Sequence, residues 1–411
     1  MYQCRLLLSL LILIFITPSL AISKTSIKAK VQSYVLSKAF TPYVQLRPRI
    51  EFKKQSHKQA TALTNRLTIG MKSSKAFQLS GLYSQFEFVH VNPFNSEYNS
   101  ATTGGNNPNY LSIPDPLKTR LTQAYLSIPI KGRHISIGDQ RLKLYDGRMI
   151  GDGNWRQMPQ SFGLIGFKDN VSISGIQFFS AYLYKQYAGS SESPTLLTNG
   201  GSFLFTTAYD RLQSHRLHGY LYLLENTHNT YGLRFETRPN MLKMDYEIDF
   251  AIQQKPSIAT TTSGPVSSYY YKLRTSKRLT PQLIISGQLS TFGPAQNGAS
   301  TGFSAPLGSS HGFDGWADVF SNSIKNGSTD GLQTYTISAD TSFYGGITSV
   351  LYHYFQSTQH QYHYGQEIDI SHKRQLKGLI TWVTTASRYY KGSHSVNTPD
   401  QWAASSSLNI S

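Results

Sequence analysis

The feature that most constrains this chain is a repeated ten-residue alternation in which one face is apolar throughout and the other carries full charges at its middle. Val44, Leu46, Ile50 and Phe52 share one face, while Gln45, Arg47, Arg49, Glu51 and Lys53 share the other. Residues 242–253 follow the same rule, with Leu242, Met244, Tyr246, Ile248, Phe250 and Ile252 against Lys243, Asp245, Glu247, Asp249 and Gln253. Tyr231, Leu233 and Phe235 likewise oppose Arg234 and Glu236. Period two is the signature of a β-strand, whose successive side chains point to opposite faces. A soluble sandwich also alternates, so the length and chemistry of the two faces decide. About ten residues is the length that crosses a bilayer at a tilt of roughly 45°. Charges at mid-segment need water beside them, because an unpaired charge in an apolar interior is too costly. An outward apolar belt around a watered lumen satisfies both faces, and closure into a barrel leaves no unpaired edge.

About eighteen such segments can be counted, starting near residues 41, 63, 77, 120, 134, 161, 173, 202, 215, 229, 241, 268, 282, 333, 347, 366, 379 and 402. The expected fold is therefore all-β: a single transmembrane antiparallel β-barrel with short periplasmic turns and longer extracellular loops. Eighteen crossings of about ten residues leave roughly twelve residues per connection. Two connections are long, 92–118 and 293–331, and loops of that length serve as lids or surface decoration. The 48 Tyr and Phe against six Met and four Trp fit strands better than helices. A single cysteine excludes a disulfide scaffold.

Residues 1–21 read as a secretory signal, with Arg5 as the basic segment, an apolar run from Leu6 to Ile16 and a small-x-small site at Ser19-Leu20-Ala21. The barrel would then occupy 22–411. Bacterial outer membrane is the expected location, with lipid and lipopolysaccharide as surroundings and a monomer as the working unit.

Three blocks together resemble the alginate-export family of outer-membrane β-barrels. The first runs from Thr122-Gln123-Ala124-Tyr125-Leu126 through Ile137-Gly138-Asp139-Gln140-Arg141, Asp146-Gly147-Arg148-Met149-Ile150-Gly151 and Asn154-Trp155-Arg156-Gln157. The second is Pro306-Leu307-Gly308, His311-Gly312-Phe313-Asp314-Gly315-Trp316-Ala317-Asp318, Phe320 and Gly331-Leu332-Gln333. The third is Gly365-Gln366-Glu367-Ile368-Asp369-Ile370, followed by a final hairpin. The resemblance implies export of an acidic exopolysaccharide such as alginate, with periplasmic scaffold proteins as partners, and places Arg141 and Arg156 at the pore. Asp139 departs from the pattern, standing where the family has a basic residue, and the last strand, ending Leu408-Asn409-Ile410-Ser411, lacks the terminal aromatic typical of barrels delivered to the outer-membrane assembly machinery.

Thirty-nine Lys and Arg against 22 Asp and Glu give a formal charge of +17. Basic side chains in a low-dielectric wall concentrate anions. Alternation puts Arg47, Arg49, Lys53, Arg66, Arg234, Lys243, Lys272 and Arg274 on inward faces. Glu51, Gln140, Glu236, Asp245, Glu247, Glu367 and Asp369 would line the pore as their acidic and polar counterparts. Tyr125 and Trp155 are the candidates for stacking on a carbohydrate inside the lumen. Tyr269, Tyr270, Tyr271, Tyr352, Tyr354, Tyr389 and Tyr390 are assigned to interfacial girdles. The Phe313-to-Asp318 block is expected in an outer loop or at the pore mouth.

Glu367 and Asp369, about 7 Å apart on one strand face, resemble a two-carboxylate hydrolase site. The same pair recurs in non-enzymatic barrels of the family, so no enzyme is expected. His353, His360 and His363 lack a completing carboxylate or cysteine, so no metal or other cofactor is expected. No basic-aromatic nucleic-acid module is visible. The function expected is a passive conduit for an anionic solute, most sharply an acidic polysaccharide. Its alternatives are a general or anion-preferring porin for small nutrients and a plugged structural or adhesive surface barrel.

Overall fold

The computed structural model describes residues 39–73, 82–100, 107–169, 175–189, 195–197, 201–237, 244–254, 267–296, 299, 301–394 and 399–411. The signal segment of residues 1–21 lies outside them. The strands are β1 (Phe40–Gln55), β2 (Lys58–Ser73), β3 (Tyr83–Pro93), β4 (Lys118–Ile130), β5 (Arg133–Gln140), β6 (Ser161–Asp169) and β7 (Ile176–Tyr187). A two-residue strand, β8 (Thr195–Leu196), sits in the next connection. Then come β9 (Ser202–Tyr209), β10 (His215–Leu224), β11 (His228–Thr237), β12 (Met244–Gln254), β13 (Ser267–Arg278) and β14 (Leu283–Phe292). The last are β15 (Leu332–Phe343), β16 (Gly346–Gln356), β17 (His363–Gln375), β18 (Ile380–Lys391) and β19 (Gln401–Ile410).

Without β8, eighteen antiparallel strands cross, each paired to its neighbours, and β19 pairs back to β1 from Gln55↔Gln401 to Leu46↔Ile410. The sheet is a closed barrel with no edge. The expected starts agree closely with the strands; the largest difference is the third, which begins at Tyr83 rather than near 77.

The alternation has the phase read from the sequence. Val44, Ile50, Ile69, Leu233, Ile248 and Ile370 are exposed outward, whereas Arg47, Arg49, Glu51, Arg66 and Lys272 are buried inside. So much exposed large apolar surface is stable only against lipid, and the barrel is an outer-membrane protein by its belt and its fold.

One rim has tight turns. Lys131 and Gly132, and Tyr344 and Gly345, all adopt positive φ. That is the type I′ geometry that matches strand twist in a two-residue hairpin. The opposite rim carries the long connections, and three of them reach inward, the 94–117 connection at Asp115, buried against Arg49, and two others more extensively. Residues 141–160 enter the lumen between β5 and β6. Residues 293–331, with the short helix α1 (Ser321–Asn326), enter between β14 and β15. Phe303, Leu307, Phe320 and Ile324 pack there against Phe292, Tyr270, Phe355 and Tyr389 of the wall.

This corrects two expectations. The Phe313-to-Asp318 block lies inside the barrel. Tyr270 and Tyr389 face the lumen and are buried, because they share parity with Lys272 and Ser387. Tyr269, Tyr271, Tyr352, Tyr354 and Tyr390 lie on the outward face, as girdle residues would.

Candidate functional site

The wall of β1 and β2 is basic on its inner face, and its cations grip the first inserted segment. Arg47 donates to Gln157 Oε1 at 2.8 Å, to Asn154 O at 2.8 Å, to Trp155 O at 3.1 Å and to Arg156 O at 2.5 Å. Arg49 donates to Trp155 O at 2.7 Å and pairs with Asp115, whose other oxygen accepts the Gln157 N–H at 2.9 Å. Arg66 reaches Asn154 Oδ1 at 2.8 Å. Arg120 on β4 donates to Pro159 O and, at 2.9 Å, to Ala188 O. A planar guanidinium with five donors suits carbonyls that strands and helices leave unsatisfied. These arginines therefore act first as anchors of the segment.

The second inserted segment is tied to the first and to the far wall. The Gly151 N–H donates to Leu307 O at 3.0 Å, the Ser309 N–H to Gly147 O at 2.9 Å, and Gln160 Nε2 to Leu307 O at 2.9 Å. Arg148, buried over Phe313 at 4.8 Å and Phe292 at 5.3 Å, pairs with Asp314 at 3.3 Å. Arg156 bridges Glu51 at 2.9 Å and Asp318 at 2.8 Å, and His311 Nδ1 lies 2.8 Å from Asp318. Ala317 N–H donates to Glu367 at 2.7 Å and Trp316 N–H to Asp369 at 3.2 Å. Buried like this, Glu367 and Asp369 hold the segment and do not line an open pore.

Ion pairs complete the wall. Asp146 receives Lys272 at 2.6 Å and lies 3.8 Å from Arg234, which also meets Glu236 at 2.9 Å and Glu247 at 3.1 Å. Burial alone would raise the Asp146 carboxyl, but Lys272, Arg148 and Arg234 outweigh it and hold it well below the usual carboxylate range. The same balance acts on Asp318, where His311, Lys53 and Arg156 overcome burial.

Among the described residues, two cavities adjoin the inserted segments. The larger, about 570 Å³, opens toward the long loops and is lined by Lys53, Lys143, Trp155, Arg156, His311 and Lys325 among others. The smaller, about 260 Å³, lies toward the tight turns beneath Phe313 and Trp316 and contains Arg274, Asp340 and His353. Phe313 lines both, so it marks the division. Lys143 and Lys325 have no carboxylate within 4.0 Å among the described residues, unlike Arg49, Arg156, Arg234 and Lys272. Burial lowers the Lys325 ammonium and Asp318 opposes that shift.

The remaining expected residues fall as follows. Lys53 is buried 3.9 Å from Glu51, and Arg141 pairs with Glu87 on the inner face. Gln140 ends β5 facing inward; Asp245 faces inward and accepts from Thr237 at 3.4 Å. Arg274 is exposed to the lower cavity. Lys243 lies outside the described residues. Tyr125 is half-buried against Tyr83 at 5.7 Å. Trp155 is stacked on His311 at 3.8 Å, with Arg49 5.2 Å from its ring, so its faces are largely occupied by protein. Asp139 faces outward and pairs with Lys185 at 2.8 Å, away from the pore. His353 lies 3.1 Å from Asp369, while His360 lies 4.0 Å from Asp330 in a loop, so the three histidines do not converge. Sequence reasoning assigned no role to Lys143, Asp146, Arg148, Asp314, Asp318 or Lys325. The only signal was the clustering of Asp146, Arg148, Asp314 and Asp318 in the Gly-rich blocks 146–157 and 306–318; Lys143 and Lys325 lie outside both.

A closed eighteen-strand barrel, apolar outside and narrowed inside by its own connections, has the fold of an outer-membrane porin. Solved structures of that class align with it along nearly their whole length. OpdK of Pseudomonas aeruginosa, solved with vanillate, covers 90% of this chain and 98% of its own at 11% identity, with a TM-score of 0.66. OccAB3 of Acinetobacter baumannii covers 90% and 98% at 12% identity and 0.65. A BenF-like porin of Pseudomonas fluorescens Pf-5 covers 90% and 98% at 11% identity and 0.66. No protein-family model and no curated protein matches. The resemblance to alginate-export barrels is thus supported as far as a generic outer-membrane β-barrel porin; the solved structures named above are porins of other names.

Proposed function

We propose that the chain is a passive porin for small anions, in particular small carboxylates, working as a monomer in the outer membrane. The observation that carries this reading is the 570 Å³ cavity in which Lys143 and Lys325 stand without a carboxylate within 4.0 Å among the described residues. That volume lies within the range of about 300–1,000 Å³ typical of sites for small molecules. An ammonium without a partner attracts a carboxylate and releases it again, which transport requires. A fold neighbour solved with vanillate, itself an aromatic monocarboxylate, supports the same substrate class. An acidic exopolysaccharide would need the inserted segments to withdraw. The bonds from Arg47, Arg49, Arg66 and Arg120 to residues 154–159 count against that. Wall cations such as Arg47, Arg49, Arg66, Arg234 and Lys272 therefore serve as field and scaffold, with Lys143 and Lys325 as the contact residues.

Proteoliposome flux tests the reading. A hydroxybenzoate should enter and a uronate hexamer should not. Entry of the hexamer at a comparable rate would restore the polysaccharide reading, and entry of neither would mean a plugged barrel.

A further inference from the structure

We infer that the tight-turn mouth of the barrel is an anion-collecting ring, and that the channel therefore conducts anions asymmetrically. The inference rests on the porin reading and adds a direction to it.

Register decides which rim side chains face the lumen. Lys72 shares parity with buried Arg66 and Thr68 on β2, and Lys168 with buried Phe162 and Leu164 on β6. Arg274 and Arg278 share parity with buried Lys272 on β13, and Lys373 with Glu367 and Asp369 on β17. All five are exposed. None has a carboxylate within 4.0 Å among the described residues; Arg278 donates instead to Pro281 O at 3.0 Å. Arg216 on β10 faces the same mouth but is paired, to Asp210 at 2.8 Å.

These residues are spread around the circumference. With β8 left out of the count, β2, β6, β10, β13 and β17 are the second, sixth, ninth, twelfth and sixteenth of eighteen crossing strands. A basic group thus appears every three or four strands. The carboxylates at this level are Asp210, Glu236, Asp245, Glu247 and Asp340, and the Arg234 guanidinium joins the cations there, 3.1 Å from Glu247, which lies directly across from Arg274. Glu236 is held by Arg234 and Arg216, Asp245 by Thr237, and Asp340 by Ser349. Among the described residues, seven cations against five carboxylates leave the mouth positive, and five of the cations are exposed and unpaired. At the other end the larger cavity is nearly balanced, with Lys53, Lys143, Arg156 and Lys325 against Asp146, Asp152 and Asp318. A charged mouth with low-dielectric walls raises the local concentration of the opposite ion. Anions are therefore gathered more strongly at the tight-turn side than at the long-loop side, and current depends on polarity. The field is screened over about 10 Å at 0.1 M salt and about 3 Å at 1 M, so the asymmetry belongs to low salt.

Single channels in planar bilayers test this, with inorganic triphosphate as the probe. At 0.1 M KCl the current ratio between polarities should be roughly twofold, falling toward unity at 1 M. Triphosphate should block from one chamber at concentrations that do nothing from the other. The combined variant Lys72→Gln, Lys168→Gln, Arg274→Gln and Lys373→Gln should lose both effects, while Lys143→Gln with Lys325→Gln should keep the one-sided block. Symmetric currents with equal block from both chambers, in a channel whose reversal potential is still anionic, would overturn the ring and leave the porin reading standing. A cationic reversal potential would instead overturn the porin reading itself.

Discussion

Replacing Arg47 by Met should loosen the inserted segment without opening the barrel. Arg47 makes four hydrogen bonds to residues 154–157. One acceptor, Trp155 O, is shared with Arg49 and stays satisfied. The other three lose the only side-chain donor they have among the described residues. Charged hydrogen bonds are worth about 1.5–3 kcal/mol each when buried. Lumen water can replace part of that, so a total near 3 kcal/mol is reasonable for three, which is about two factors of ten in the ratio of seated to unseated segment. Methionine keeps the bulk of the side chain, and the ladder between β1 and β2 does not use it. Single-channel recording should show larger conductance excursions and more current noise, with unchanged heat resistance of the barrel. A channel with wild-type conductance and noise would refute the assignment of Arg47 as an anchor.

Other expectations follow from the same geometry. Lys143→Gln with Lys325→Gln should lower the anion preference read from reversal potential while leaving the fold intact, since neither side chain has a carboxylate within 4.0 Å among the described residues. Ile248→Arg, on the outward face at mid-strand, should cost about 2–4 kcal/mol in reversible unfolding from lipid; a neutral result would place Ile248 away from the bilayer centre. The carboxyls of Asp146 and Asp318 are held below their ordinary value of 3.8. Their stabilisation is therefore complete above about pH 4 and is lost as pH falls through the depressed folded values. Conductance should be steady from pH 8 to about 5, and loop-dependent noise should rise only in stronger acid.

The barrel was legible because two strong regularities coincide in it. Period-two alternation makes each strand visible alone, as with Val44 to Lys53, and the lipid belt demands that every strand obey the same phase. The interior was not, because it is made by contacts far apart in sequence. Arg47 and Asn154 are 107 residues apart, and nothing local to either says that the guanidinium meets a carbonyl rather than water. Glu367 and Asp369 were read correctly as inward-facing, yet facing the lumen and being open to it differ once residues 313–318 cover them. Tyr270 and Tyr389 show the same limit: their composition suits a membrane girdle, and only parity within the strand sends them inside. Lys143 sits in an irregular segment and Lys325 in the six-residue helix α1, which is too short for periodicity to report.

The most direct test of the porin reading is the reversal potential of single channels in a tenfold KCl gradient, repeated with a hydroxybenzoate as the anion. The account predicts a potential of the sign set by the anion in both cases, with measurable hydroxybenzoate current. A potential set by potassium, or a closed channel in every recording, would contradict it.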